Sequence, residues 1–266
     1  MDALTQSWSR SEAQFKEIQT GDGSFSVWKK TADPAAYGLV DEESKINLNG
    51  VKAPAVLTRL FEAAAGLTPE KAQELAFCVM DWIDTDEDPH DLGAEKEYYR
   101  GLKPPYGPKN AEVRLLEELL YVKGMNPGIL ESIRPYVTLI ETKRLNLNTA
   151  SRVALLSLGL SDSLVSKIVT FRKGRDEIEG TADDGVFREA FEITGTLQSF
   201  GYLDSAEVEM MNQFSQSGQI GVSSETFTVQ SAARLQRGQE SLNVFAIVNK
   251  TGEIKQWQEE YLKIPS

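Results

Sequence analysis

The sequence predicts an α+β protein in which a small antiparallel-sheet domain is split by a large all-helical insertion. Three observations lead there. Period-two alternation appears near both ends of the chain, at residues 24–30 and from residue 225 onward. Helical spacing dominates from about residue 50 to about residue 197. Within that block two stretches nearly repeat: KINLN (45–49) followed by GLTPEKAQELAF (66–77), and RLNLN (144–148) followed by GLSDSLVSKIVTF (159–171). The expected division is residues 1–49 and 198–266 for the split domain and 50–197 for the insertion, carrying two repeated helical units.

Residues 3–18 read as an amphipathic helix whose seam is Leu4, Trp8, Phe15 and Ile18. Gly21 and Gly23 end it, and SFSVWKK (24–30) alternates as a strand. A weaker strand is expected at 36–43, after the turn marked by Pro34. Val56, Leu57, Leu60 and Phe61 share one helix face. Thr68 followed by Pro69 is a start signal: a capping hydroxyl, then a residue whose missing N–H costs nothing there. That helix should bury Leu75, Val79 and Ile83. Another helix is predicted at 111–122, stopping at Gly124, and a strand at 134–141. Asn49 and Asn148 are expected to cap the helices that follow them. After Gln198 strands resume: 225–233 alternates, 242–248 is apolar on both faces as in a central strand, and NKTG (249–252) turns into 253–260.

Composition excludes several function classes. The 266 residues carry a net charge of −12 and a pI near 4.8, which repels a phosphate backbone and favours cations or basic surfaces. The single cysteine, Cys78, rules out a disulfide framework and reads as a core residue. No run is long and apolar enough to span a bilayer, and no signal peptide is visible. His90 is the only histidine, and no nucleophile-elbow, P-loop or zincin motif occurs, so an enzyme is not expected. The repeats resemble helix-hairpin-helix units, but Thr68 and Ser161 stand where a second glycine would approach nucleic acid.

The chemistry concentrates in DWIDTDEDPHDLGAEKEYY (81–99). Eight carboxylates lie between residues 81 and 97, and clustered carboxylates demand a neutralising cation. Asp84, Asp86 and Asp88 take positions one, three and five of a calcium loop and Glu95 takes position twelve. Position six is Pro89, which cannot adopt the positive φ that glycine supplies there, so an irregular calcium loop is expected rather than an ordinary EF-hand. The candidate ligands are Asp81, Asp84, Asp86, Asp88, Glu95 and Glu97. A second oxygen-rich loop (172–187) offers Asp176, Glu179, Thr181, Asp183 and Asp184 among glycines, with Arg172, Lys173 and Arg175 able to form plain surface pairs instead.

The stretches YGLVDEESKINLN, DWIDTDEDPHDLGAEKEYY, PPYGPKN (104–110), EELLYVKGM (117–125), RLNLNTAS and the closing FTVQSAA with IKQWQEE resemble the K-class minor pseudopilin of bacterial type II secretion. The resemblance runs from about residue 37 onward. It implies a pseudopilin fold, an N-terminal helix on a small antiparallel sheet, interrupted by a helical domain of two sterile-alpha-motif-like units. It further implies bound Ca2+ and a structural role capping the pseudopilus tip and starting its assembly with I-class and J-class minor pseudopilins. Contacts to secreted substrates or the outer-membrane secretin belong to the same expectation. The family carries a basic leader and a hydrophobic helix held in the inner membrane; this chain is expected to be the periplasmic part without them. The seam Leu4, Trp8, Phe15 and Ile18 is the expected partner contact. The competing reading is a stand-alone calcium-dependent carbohydrate-binding or adhesion module using the same acidic loop.

Overall fold

The computed structural model describes residues 12–28, 37–179, 181–235 and 240–263. In chain order the first elements are α1 (Glu12–Phe15), β1 (Ile18–Thr20), β2 (Gly23–Trp28), β3 (Val40–Asp41) and β4 (Ile46–Asn47). Then come α2 (Pro54–Ala65), α3 (Pro69–Ile83), α4 (Lys96–Arg100), α5 (Pro127–Ile133), β5 (Val137–Thr138), β6 (Leu145–Asn146), α6 (Arg152–Leu158) and α7 (Asp162–Lys173). The chain closes with α8 (Ile193–Phe200), α9 (Ser205–Ser217), β7 (Ile220–Gly221), β8 (Thr226–Leu235), β9 (Glu240–Asn249) and β10 (Ile254–Lys263). No helix among the described residues is long and apolar enough to cross a membrane.

Packing divides the chain into two units. One gathers the described residues of Met1–Glu43, Arg144–Thr149 and Lys167–Ser266; the other gathers Ser44–Lys143 and Ala150–Ser166. The boundary therefore does not follow the linear span 50–197. Residues 144–149 join the sheet unit because Leu145 and Asn146 ladder with Ile220 and Gly221.

The sheet unit holds an antiparallel sheet in the order β1-β2-β8-β9-β10, with β3 also paired to β8. The alternation at 225–233 is realised: Phe227 pairs with Val248 and Val229 with Ala246, so these apolar side chains share a face with Val27, which opposes Ser231. The 249–252 turn is tight, with positive φ at Gly252. β10 is an edge strand, and its Ile254, Trp257 and Tyr261 are exposed. The strand expected at 36–43 shrinks to β3, followed by a 3-10 turn at Glu42–Ser44. Polar burial is the reason. The Asp41 carboxylate accepts from Ser224 (2.7 Å), Asn146 (3.2 Å) and Thr149, and Glu42 from Thr228 (2.8 Å). The amide of Thr226 donates to Glu43 at 3.2 Å.

At the N-terminus the predicted helix does not reach residue 18. Helix α1 stops at Phe15, which is buried, and Ile18 opens β1 across from Phe25. The two glycines that end the helix instead bound a hairpin turn between β1 and β2, which pulls residues 18–20 into the sheet. Leu4 and Trp8 lie outside the described residues.

The helical unit packs Leu57, Leu60 and Phe61 of α2 against Leu75, Cys78, Val79 and Trp82 of α3, over Leu119, Leu130 and Ile133. Gly66 joins α2 to α3 in the left-handed region (φ +64), where its N–H reaches Glu62 and that of Leu67 reaches Phe61. Pro69 opens α3 as expected, but the Thr68 side chain accepts no helix amide. The helix predicted at 111–122 is only a 3-10 turn, Leu116–Tyr121, because Glu118 takes the amides of Arg114 and Leu115. Strand 134–141 contracts to β5 behind a 3-10 turn containing Pro135. A helix at 205–217 was not expected; its signal is the capping box in which Asp204 and Glu207 each accept the other's amide at 2.9 Å.

The repeats are real, but Asn49 and Asn148 do not cap the helices that follow them. Ala53 and Ser151 occupy those cap positions. Instead Asn49 pairs reciprocally with the backbone of Val113 (Nδ2 to O 3.0 Å, N to Oδ1 2.9 Å). Asn148 does the same with Phe187 (2.8 and 2.9 Å) and also donates to the Val222 carbonyl at 2.8 Å. Each repeat thus runs strand, asparagine, helix pair, acidic loop; Asn148 clips the far end of its loop at Phe187, and Asn49 clips the chain farther on, at Val113, beyond α4. Asn148→Ala strands the buried amide and carbonyl of Phe187, each costing about 1–3 kcal/mol when left unmade, and the part-buried carbonyl of Val222, so a loss of roughly 2–6 kcal/mol is expected in urea unfolding. Asn49→Ala, at a half-buried site, is expected to lose less.

Candidate metal centre

Helix α3 delivers the acidic loop from inside the core. Its last turn buries Asp81 and Trp82, and Asp84 is the C-cap, its N–H donating to Met80 at 2.9 Å. The loop returns at α4, where the Glu95 carbonyl accepts from Tyr98 at 2.9 Å. Tyr99 is fully buried and meets the Trp82 ring edge-on at 5.3 Å, fixing α4 against α3. That contact brings Glu95 over the start of the loop.

Asp81 locks the loop rather than facing an ion. Its Oδ2 accepts from Ala94 N at 2.6 Å, and its Oδ1 takes the His90 amide at 3.3 Å and pairs with His90 Nδ1. The His90 ring stacks on Phe77 at 5.2 Å. Gly93 is required by this lock, since a Cβ there would lie 1.8 Å from Asp81 Oδ2.

Asp84, Asp86 and Glu95 converge: one carboxylate oxygen of each lies within 4.8 Å of the others. Asp81, Asp84 and His90 satisfy the same distance test, but the Asp81 oxygens are already occupied by donors. Glu95 is only 6% exposed, and neither of its oxygens has a hydrogen-bond partner. Asp84 Oδ1 is likewise buried and without a donor. Burial raises the Asp84 carboxyl, with Asp86 and Asp81 adding to it. Burial pushes Glu95 up to about 7, with Asp81 and Asp84 contributing. Buried acceptors without donors fit a hard, oxygen-seeking cation, and carboxylates two apart plus a distal glutamate are the donor set calcium takes.

The remaining sequence candidates fall elsewhere. Asp88 is exposed and its amide donates to Asp86 Oδ1 at 3.0 Å; Glu97 is exposed on α4. In the second loop the oxygens already have donors. Asp183 accepts from Thr181 Oγ1 (2.7 Å) and from the amides of Arg175 (2.6 Å) and Asp176 (3.2 Å). Those bonds, Thr181 first, pull its carboxyl down to about 2. Asp184 also accepts from Thr181, Asp176 from the amide of Ile178, and Glu179 from buried Arg172 at 2.9 Å. His90 was not named among the candidate ligands; a lone histidine between acidic residues was its signal in the sequence.

The chain is similar to known proteins in sequence and in fold. A family model described as type II secretion system (T2SS), protein K matches residues 38–142. Type II secretion system protein K of Klebsiella pneumoniae is 30% identical over 162 residues, covering 58% of this chain and 48% of that protein. Its counterpart in Aeromonas hydrophila is 27% identical over 201 residues, covering 68% and 59%. The chain spans about half the length of these curated relatives. In fold it matches a chain of the crystal structure of the GspK-GspI-GspJ complex from enterotoxigenic Escherichia coli, with a TM-score of 0.63, 17% identity, and coverage of 97% and 89%.

An unfolded glutamate releases its proton near 4.5, whereas folded Glu95 keeps it to about 7. Its contribution is therefore favourable below the lower value and lost as pH rises through the upper one. In chelator, melting temperature should fall between those two values, and Glu95→Gln should flatten that part of the profile relative to the unsubstituted chain.

Proposed function

We propose that this chain, which belongs through residues 38–142 to the protein K family of type II secretion systems, is a minor pseudopilin that caps the pseudopilus tip and helps start its assembly. The observation that carries this reading is the fold match along 97% of the chain to a component of a GspK-GspI-GspJ complex. On this reading its partners are I-class and J-class minor pseudopilins, and its role is structural rather than catalytic. The full protein sits in the bacterial inner membrane facing the periplasm, with a helical insertion that carries a pair of sterile-alpha-motif-like units. That bulk at the tip leaves no room for another subunit to add above it. The N-terminal contact with partners falls to Leu4 and Trp8, since Phe15 is buried within this chain and Ile18 is in β1. Co-expression with I- and J-class pseudopilins should give a complex that survives gel filtration. A carbohydrate-binding module would instead elute alone and be retarded on a glycan column.

The acidic loop is read as a structural calcium site held by Asp84, Asp86 and Glu95. Bound calcium would neutralise three carboxylates at the junction of α3 and α4 and fix the loop between them. Calcium at about 100 times its dissociation constant should stabilise the protein by about 2.7 kcal/mol in thermal unfolding. Asp84→Asn and Glu95→Gln should each remove most of that gain while folding normally in chelator. If both variants kept the full gain, the ion would belong elsewhere.

A further inference from the structure

Asn110 lies 24 residues beyond Asp86, past the Pro104–Asn110 loop, yet it is drawn into the same place. Its backbone adopts a left-handed conformation (φ +47), which asparagine tolerates better than most residues. Its N–H donates to the Trp82 carbonyl at 3.0 Å, and its Nδ2 donates to the Asp86 carbonyl at 2.7 Å. Only the nitrogen of the amide can make the second bond, so the orientation of the group is settled. The amide oxygen is then left buried with no hydrogen-bond partner. Of the seven buried side-chain atoms in this condition among the described residues, four are oxygens of Asp84, Glu95 and Asn110. The segment is held in position by Tyr106, whose amide reaches the Tyr99 carbonyl at 3.3 Å and whose ring packs on Tyr99 at 5.3 Å.

We infer that Asn110 is part of the ion site: its Oδ1 supplies a neutral ligand oxygen, while its Nδ2 positions the Asp86 backbone. This rests on the calcium reading above and extends it to a residue outside the acidic run. Calcium shells commonly mix carboxylates with amide and carbonyl oxygens, and a neutral donor completes coordination without adding repulsion. The loop from residue 101 to 110 thereby acts as the closing side of the site.

Asn110→Gly keeps the left-handed backbone and removes the amide, while Asn110→Asp keeps an oxygen at the same point and loses the donor. Calorimetric titration of the full chain with calcium chloride, paired with melting in chelator, separates the roles. The expected result is an affinity about tenfold weaker for Asn110→Gly, with its ion-free melting temperature lowered by no more than the loss of the one exposed hydrogen bond to Asp86 accounts for. Asn110→Asp should bind close to the unsubstituted protein. Unaltered affinity in Asn110→Gly overturns the inference, as does a weakening matched by an equal loss of ion-free stability. Absence of calcium binding in the unsubstituted chain would overturn the calcium reading itself and this inference with it.

Discussion

Asp84, Asp86 and Glu95 are held within one ion's reach while two of the three are drained of water and given no donor. Left bare, such a group can only relieve itself by keeping a proton or by moving apart. The surrounding fold prevents the second course. Asp81 pins the middle of the loop to Ala94 and His90, Tyr99 wedges α4 onto Trp82, and Asn49 clips the chain where it re-enters at Val113. Most of the order around residues 81–113 serves to hold mutually repelling oxygens close, which is costly unless a cation completes the arrangement.

The two loops of the duplicated scaffold solve the same problem differently. In each, an asparagine pairs with a returning backbone amide and carbonyl. In the second loop the carboxylates are supplied from within, by the Thr181 hydroxyl, by turn amides and by the buried Arg172 guanidinium. In the first, Lys96 pairs with Glu87 at 2.6 Å, and Asp84 Oδ1 and both Glu95 oxygens are left without a donor. A shared frame therefore carries one loop that is internally neutralised and one that is not.

Much of this was legible in the sequence because the signals are local. Alternation marked β2 and β8, an apolar run marked β9, the NKTG turn marked β10, the Pro69 start marked α3, and the Asp84, Asp86 and Glu95 spacing marked the converging carboxylates. What escaped depends on partners far along the chain. Asn49 meets Val113 across 64 positions and Asn148 meets Phe187 across 39, so nothing nearby distinguishes a clip from a cap. Asp81 looked like a ligand because its type and place were right; only the tertiary fold shows Ala94 and His90 using its oxygens. Helix α1 was expected to run on to residue 18 because a seam of large residues continued past the point where the backbone turned into β1.

The last strand of the sheet carries a different obligation. β10 is ten residues long and, among the described residues, pairs with β9 alone, so its outer row of amides and carbonyls faces no described strand. Trp257 and Tyr261 are exposed along it. Lys255, Glu259 and Glu260 stand on the same strand as gatekeepers, since a copy of itself laid alongside must desolvate their charges. The rim is thus guarded against fibrous self-stacking.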